Sequence, residues 1–154
     1  MTSAETRPRT AAAWLRPVVA VLGLLYLALG IAGFLTPETA AVGHEPSRAV
    51  WIFSVTPVLN LVHAAVGVLG LLAATRRTGA IIYCWVLFVG FTGMTAYGIL
   101  ATTVVNPEDP INLNWAGNAL HGLTAIAGLV LGIVAARSVN RAPRASSFRR
   151  PGTG

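Results

Sequence analysis

Two apolar stretches of the chain decide its fold, PVLNLVHAAVGVLGLLAA at residues 57–74 and WAGNALHGLTAIAGLVLGIVAA at residues 115–136. Neither contains Asp, Glu, Lys or Arg, and each has a histidine preceded three residues earlier by an asparagine. A helix needs about 20 predominantly apolar residues to cross about 30 Å of hydrocarbon. Each stretch therefore predicts a membrane-spanning helix, and the shared pattern predicts a repeat.

Two further charge-free stretches lie at residues 17–35 and 79–104. Only 10% of all residues are charged and 55% are hydrophobic, whereas soluble domains carry roughly 25% charged residues. Residues that begin or end helices stand near the boundaries of the spans: Pro17, Pro37, Pro57, Gly79 and Pro107. A signal peptide is the alternative for the first span, but no small-x-small cleavage site follows its long apolar stretch.

The sequence thus predicts an all-α fold, an integral membrane four-helix bundle within residues 14–137. Its spans are predicted at about residues 17–35, 57–74, 79–104 and 115–136. The two tails, residues 1–13 and 138–154, are rich in Arg, Pro, Ser, Thr and Ala, which predicts disorder. Arginines of the C-terminal tail either anchor the topology or rest on anionic lipid headgroups.

All eleven basic residues are arginines, and they flank the apolar spans instead of lining one face of a fold. This placement argues against a nucleic-acid partner and is typical of membrane orientation signals. If both termini lie in the cytoplasm, ten of the eleven arginines are cytoplasmic and Arg48 alone is outside. The positive-inside rule therefore predicts a multi-pass protein of the plasma membrane with both termini in the cytoplasm. The lipid bilayer is the predicted partner, and a second copy or another membrane protein is left open.

Spans two and four match each other at a fixed offset of 58 residues. The matched pairs are Asn60 with Asn118, His63 with His121, Gly67 with Ala125, Gly70 with Gly128, and Ala74 with Gly132. Each set lies on one stripe of its helix, because its members are spaced by three or four residues. Small residues allow close helix approach in lipid. We therefore expect spans two and four to face each other across the bundle centre through these stripes.

Spans one and three match more loosely, with Gly30 and Gly33 corresponding to Gly90 and Gly93 at an offset of 60 residues. The chain therefore consists of two tandem copies of a helical hairpin. Both copies run the same way through the membrane, which predicts a parallel repeat about an axis along the membrane normal.

His63 and His121 each lie six residues into a span that runs from outside to inside, about 9 Å below the outer start of the helix. Both therefore sit in the outer leaflet, with Asn60 and Asn118 one turn nearer the outside. Ionisable residues inside a membrane are costly and usually functional. Three interpretations stay open. Neutral imidazoles hydrogen-bond across helices to the asparagines or to carbonyls, or they form a site for a proton or small polar solute, or they hold a metal or haem.

The spans contain no paired carboxylates, no nucleophile beside a base and no glycine-rich phosphate loop. The single cysteine, Cys84, excludes a disulfide or a CxxC site, and no metal-ligand spacing is recognisable. We therefore predict a non-enzymatic membrane protein without a cofactor, in which the cluster of His63, His121, Asn60 and Asn118 fixes helix packing. The alternative is a small carrier or redox protein that binds a proton, solute, metal or haem at this cluster.

The elements Asn60-Leu61-Val62-His63, Gly67, Gly70-Leu71 and Leu120-His121 together resemble a small bacterial membrane family, domain of unknown function 4383, which is common in actinobacteria. The resemblance covers about residues 15–137. It implies a four-helix membrane protein and assigns no activity. Members of the family often carry an aspartate near the second histidine. Asn118 stands there in this chain, which argues against a carboxylate–histidine proton relay.

Overall fold

The computed structural model describes residues 12–36, 49–104, 109 and 111–140. Four helices make up most of this part of the chain: α1 is Leu15–Leu35, α2 is Pro57–Ala73, α3 is Arg77–Thr103 and α4 is Trp115–Asn140. They confirm the predicted all-α four-helix fold, and their ends lie within a few residues of the predicted spans. Most of the two tails that were predicted to be disordered lies outside the described residues.

A short β-hairpin precedes α2. Its strands β1 (Ala49–Val50) and β2 (Phe53–Ser54) pair antiparallel. Trp51 lies in the turn between them with a φ of 57° and is 84% exposed. This left-handed conformation is unusual for a bulky residue. The turn therefore presents an indole at the end of the bundle, where the aromatic belt of a membrane protein lies.

Three of the helices are long and apolar enough to cross a membrane, judged by length and composition: Leu15–Leu35, Arg77–Ala101 and Trp115–Ser138. Helix α2 is also apolar but has only 17 residues, a length of about 26 Å. Its start is defined by Pro57 in the first turn and by Thr56, whose hydroxyl accepts a hydrogen bond from the backbone N–H of Leu59 at 3.1 Å. The outward faces of the four helices expose large apolar side chains, among them Leu25, Leu61, Val89 and Leu123. Such surfaces suit lipid better than water.

Helix α1 packs mainly against α2, and α3 packs mainly against α4, so the bundle consists of two helical hairpins. The close backbone contacts lie inside each hairpin. A Cβ atom added to Gly70 of α2 would lie 2.9 Å from the Cα of Gly23 in α1. One added to Gly128 of α4 would lie 2.6 Å from the carbonyl oxygen of Cys84 in α3. Helix backbones approach this closely only where no side chain separates them.

The prediction that spans two and four face each other through their small residues is wrong. The matched residues pack mainly inside their own hairpins, Gly67, Gly70 and Ala74 toward α1, and Ala125, Gly128 and Gly132 toward α3, although Gly70 also lies against the hydroxyl of Tyr83 in α3. The reason is that α1 supplies glycines of its own, Gly23 and Gly30, whose backbone meets the stripe of α2 directly. That stripe is therefore covered within the hairpin and is not available to α4.

The repeat in α1 and α3 also has a different register from the predicted one. Gly30 lies against the backbone of α2, whereas Cβ atoms on Gly90 and Gly93 of α3 would meet open space. The positions with equivalent contacts are 65 residues apart, Gly33 with Gly98 and Tyr26 with Phe91. Matching glycines by sequence alone therefore aligned the wrong turns of these two helices.

The two ends of the bundle differ in polarity. The arginine end carries the turn between α2 and α3, with Arg76 and Arg77, and the start of α1. The loop end carries the β-hairpin and residues 111–114, which lead into α4. Buried apolar side chains fill the core toward the arginine end, among them Leu15, Val19, Ala80, Cys84, Leu87 and Ala135. The buried polar residues lie nearer the loop end, where the candidate site is found.

Candidate functional site

His63 of α2 and His121 of α4 form a direct hydrogen bond at the centre of the bundle. Their Nε2 atoms are 3.2 Å apart and their ring planes are inclined by 64°. Both side chains are buried, with exposed fractions of 3% and 1%. One imidazole donates its Nε2–H and the other accepts with a bare Nε2, because two protonated nitrogens cannot share one hydrogen bond. The structure thus brings together the two histidines that the sequence placed at one depth.

Two aromatic rings that the sequence analysis did not single out enclose this pair. The ring of Tyr26 in α1 lies 5.5 Å from that of His63, and the ring of Phe91 in α3 lies 5.0 Å from that of His121. Tyr26 and Phe91 also contact each other, with centroids 5.1 Å apart. Each hairpin therefore contributes one histidine and one aromatic ring. The available signal in the sequence was the 65-residue spacing, which relates Tyr26 to Phe91 as it relates Gly33 to Gly98.

Two further side-chain hydrogen bonds connect the hairpins. The hydroxyls of Tyr26 and Thr124 lie 2.6 Å apart. Because Thr124 donates its own hydrogen to the carbonyl of Leu120 at 2.8 Å, Tyr26 is the donor in this contact. Tyr83 of α3 donates to the carbonyl oxygen of Val66 in α2 at 2.9 Å. Together with the histidine pair, these bonds link α1 to α4, α3 to α2, and α2 to α4.

Asn60 and Asn118 do not hydrogen-bond to the histidines. Each carboxamide lies against a glycine within its own hairpin, Asn60 against Gly33 and Asn118 against Gly98, in the space that a side chain there would need. Asn60 is fully buried and Asn118 is 3% exposed. The interpretation in which imidazoles bond to these asparagines is therefore not what the structure shows. The imidazoles bond to each other, and the asparagines lie one turn nearer the loop end.

Six buried side-chain atoms of this cluster have no hydrogen-bond partner in the described part of the chain. They are Nδ2 and Oδ1 of Asn60, Nδ2 and Oδ1 of Asn118, and Nδ1 of both histidines. A buried polar atom without a partner costs about 1–3 kcal/mol. Such atoms are rare in proteins and usually indicate water, an ion or another ligand. The cluster therefore has unused capacity to bind something small and polar.

The buried polar side chains of the described residues extend from the loop end to one turn past the histidines. They are Ser54, Thr56, Asn60, His63, Asp109, Asn112, Asn118, His121 and Thr124. The outermost, Asp109, accepts hydrogen bonds from the hydroxyl of Tyr97 and from the backbone N–H of Ile111. The site is thus connected to the loop end by polar groups, while apolar side chains separate it from the arginine end.

Residues 111–114 cover the loop end of the cluster. The hydroxyl of Thr56 donates to the carbonyl oxygen of Ile111 at 3.4 Å, and the backbone N–H of Asn114 donates to the hydroxyl of Ser54 at 3.1 Å. The Asn114 side chain also accepts a hydrogen bond from Gly117 N–H at 2.8 Å, which caps the start of α4. These bonds hold the loop before α4 onto the hairpin before α2.

The geometry of the histidine pair does not fit a haem between the imidazoles. Imidazole–metal bonds of about 2.0–2.1 Å, as for zinc, would place two nitrogens on opposite sides of a metal about 4 Å apart. The Nε2 atoms are 3.2 Å apart, and the rings of Tyr26 and Phe91 already flank the pair. Among the described residues, no group of three or more His, Cys, Asp or Glu side chains is placed to hold a metal ion.

Comparison with known proteins identifies the family of the chain. The model of the family described as domain of unknown function (DUF4383) matches residues 16–134, which is most of the chain and includes most of each of the four helices. The match confirms the resemblance seen in the sequence. No curated protein and no solved structure matches the chain.

Proposed function

The chain belongs to the family described as domain of unknown function DUF4383, and from this premise we propose that it is a multi-pass plasma-membrane protein in which a buried histidine pair joins two helical hairpins. The proposed role is structural and non-enzymatic. The observation that carries it is the 3.2 Å hydrogen bond between His63 and His121, which connects α2 of one hairpin to α4 of the other.

The energetics of helix packing in lipid support this role. Lipid tails are as apolar as the helix surfaces, so close packing and interhelical hydrogen bonds hold membrane helices together. Close packing in this bundle lies mostly inside each hairpin, at glycines such as Gly70 and Gly128. The contact between hairpins therefore depends more on the bonds of His63, Tyr26 and Tyr83. Each such bond contributes about 1 kcal/mol, enough to select one arrangement of the two hairpins.

The proposed orientation places the arginine end in the cytoplasm and the loop end outside. In the described residues, Arg16, Arg76, Arg77 and Arg137 all lie at the arginine end. Arginines stay on the cytoplasmic side during insertion. Both termini are then cytoplasmic, and the His/Asn cluster lies in the outer leaflet. The lipid bilayer is the proposed partner, with no role for nucleic acid.

A double-mutant cycle tests the proposed role of the histidine pair. The free energy of unfolding of the purified protein in mild detergent would be measured for the parent chain, His63→Ala, His121→Ala and the double variant. We expect each single variant to be less stable and the two changes to be coupled by about 0.6–1.7 kcal/mol. Thr92→Ala is the control, because Thr92 is exposed and its hydroxyl bonds only to Phe88 of its own helix. Coupling near zero would contradict the proposal.

The absorption spectrum of the same purified protein gives a second, independent check. We expect no haem Soret band, because the imidazole nitrogens are too close to hold an iron between them. A Soret band that disappears in His121→Ala would show that the pair serves redox chemistry and not packing alone.

A further inference from the structure

We propose that the His63–His121 pair is a binding site for one proton, which exchanges with solvent at the loop end of the bundle only. This inference rests on the proposed function, because it requires the two imidazoles to be hydrogen-bonded to each other in the folded protein. It goes further by naming the ligand, its stoichiometry and the side from which it comes.

The tautomers of the pair leave one nitrogen free to take a proton. The imidazole that donates its Nε2–H has a bare Nδ1, whereas the imidazole that accepts carries its hydrogen on Nδ1. Both Nδ1 atoms are buried and neither has a hydrogen-bond partner in the described residues. A proton that binds the bare Nδ1 converts the donor into an imidazolium, and the Nε2–H···Nε2 bond stays in place.

A second proton cannot bind without cost to the structure. It would have to add to the accepting Nε2, which would break the 3.2 Å bond and place two positive charges on adjacent rings. The pair therefore takes up one proton and not two. No bond other than the new N–H is formed or broken, and the net charge of the site rises by one.

Burying a positive charge is unfavourable, and two features of the surroundings partly offset this cost. Tyr26 of α1 and Phe91 of α3 place their rings 5.5 Å and 5.0 Å from the histidine rings, within the roughly 6 Å range of cation–π attraction. The carboxamides of Asn60 and Asn118, one turn away, have polar atoms without a hydrogen-bond partner in the described residues, and these dipoles are available to stabilise a charge. The site therefore offers compensation for a charge without containing a carboxylate.

Within the described helices, no permanently charged side chain lies beside the histidine pair. Their charged side chains, Arg16, Arg77 and Arg137, all lie at the arginine end. Arg137 is 16 residues beyond His121 on α4, or about 24 Å along the helix. The one described acid, Asp109, is bonded to Tyr97 and to the N–H of Ile111 at the loop end. On α4, the polar group closest in sequence to His121 on the same helix face is the hydroxyl of Thr124, which already accepts a hydrogen bond from Tyr26.

The distribution of buried polar groups determines the side of access. From the histidines to the loop end, the interior contains Asn60, Asn118, Thr56 and Asn112. From Thr124 to the arginine end, the described interior is filled mainly by apolar side chains such as Leu15 and Val19, and the buried Tyr83 hydroxyl there is bonded to the carbonyl oxygen of Val66. A proton can pass through the first region with water and amide groups but not through the second. The site is therefore a sensor of proton concentration on one side and not a path across the membrane.

Proton uptake can be counted directly in a His44→Gln background, since the chain has three histidines and this change leaves only the pair. Imidazole nitrogens labelled with ¹⁵N would be followed by NMR between about pH 8 and pH 4, the range in which histidines usually titrate. We expect one proton per chain. As a control, potentiometric titration of this protein against a His63→Gln, His121→Gln variant on the same background should show a difference of one proton per chain. Two protons per chain, or none, would overturn the proposal.

The side of access is tested in liposomes that hold the same protein in one orientation. The pH would be changed on one side of the membrane at a time while the imidazole signals are recorded. We expect a response only when the loop-end side is acidified. A response to acidification at the arginine end would overturn the sidedness, and Thr92→Ala is the control for an unrelated polar change within the bundle.

Two outcomes separate this proposal from the proposed function. If His63 and His121 remain energetically coupled but take up no proton, the joining role stands and the proton site is wrong. If the coupling is absent, the joining role fails, and the proton proposal fails with it. A titration with Zn²⁺ alone tests for a metal site at the same position. Stoichiometric zinc binding that is lost in His63→Gln would assign the site to a metal instead of a proton.

Discussion

The carboxamide of Asn60 occupies the space into which a side chain on Gly33 would project. The same relationship recurs between Asn118 and Gly98 in the other hairpin. A buried asparagine thus lies against a glycine of the neighbouring helix at the loop end of each hairpin. The two contacts fix the register of α2 on α1 and of α4 on α3, one turn above the histidine pair.

Substituting either of these glycines should therefore destabilise the protein. We expect Gly33→Ala and Gly98→Ala each to lower the free energy of unfolding by about 1–3 kcal/mol, because the new methyl group overlaps the asparagine. Gly93→Ala is the matched control in α3, where an added Cβ meets nothing within 4 Å. Because alanine has a higher helix propensity than glycine, this control substitution should leave stability unchanged or raise it by up to about 1 kcal/mol. Equal effects at Gly33 and Gly93 would refute this explanation.

The pairing of α4 with α3 makes a second prediction that compares two glycines on one helix. A Cβ on Gly128 would lie 2.6 Å from the backbone oxygen of Cys84, whereas one on Gly122 would lie 3.6 Å from the flexible side chain of Thr95. We expect Gly128→Ala to cost about 1–3 kcal/mol and Gly122→Ala to be tolerated. Thermal unfolding in detergent would measure both. The opposite order would show that α4 presents another face to α3.

The bond between Tyr26 and Thr124 gives a third prediction. Tyr26→Phe keeps the ring against His63 and removes only the hydroxyl that donates to Thr124 at 2.6 Å. We expect a loss of about 0.5–1.5 kcal/mol in stability. In Thr124→Val, the same change at Tyr26 should have a smaller effect, because the acceptor is already gone. If Tyr26→Phe costs the same in both backgrounds, the hydroxyl acts elsewhere.

The orientation of the bundle is the subject of a fourth prediction. We expect green fluorescent protein fused after residue 154 to fluoresce, and alkaline phosphatase fused there to be inactive, because both termini are proposed to be cytoplasmic. Alkaline phosphatase fused after residue 104, at the loop end, should be active. Replacing both Arg76 and Arg77 by Glu should weaken this difference, since these residues form the cytoplasmic turn between α2 and α3. An active phosphatase at the C-terminus would reverse the proposed topology.

Several features of the candidate site were predictable from the residues themselves. The 58-residue offset that relates Asn60 to Asn118 and His63 to His121 placed two equivalent polar clusters at one depth. The same offset could not tell which atoms would touch. The histidines bond to each other and not to the asparagines, because side-chain directions depend on how α2 and α4 are rotated, and that rotation is a property of the assembled bundle.

The register of α1 and α3 was also beyond sequence reasoning. By sequence, Gly30 and Gly33 match Gly90 and Gly93. In the structure, however, Gly98 makes the contact in the second hairpin that Gly33 makes in the first. A glycine that faces lipid and a glycine at a helix contact cannot be distinguished in the sequence. Only the position of the neighbouring helix distinguishes them, which is why Tyr26 and Phe91 were recognised as equivalents only in three dimensions.

The number of helices, their approximate ends and the preference for lipid followed from the sequence alone, because the transfer of each residue between water and hydrocarbon is a local property that sums along the chain. The arginines predicted the orientation, because their positions relative to the spans can be read directly from the sequence. Which helix covers which, and which polar atoms meet, was decided by tertiary structure. These depend on backbone distances and helix rotation, which arise from the fit of whole surfaces and cannot be assigned to any one residue.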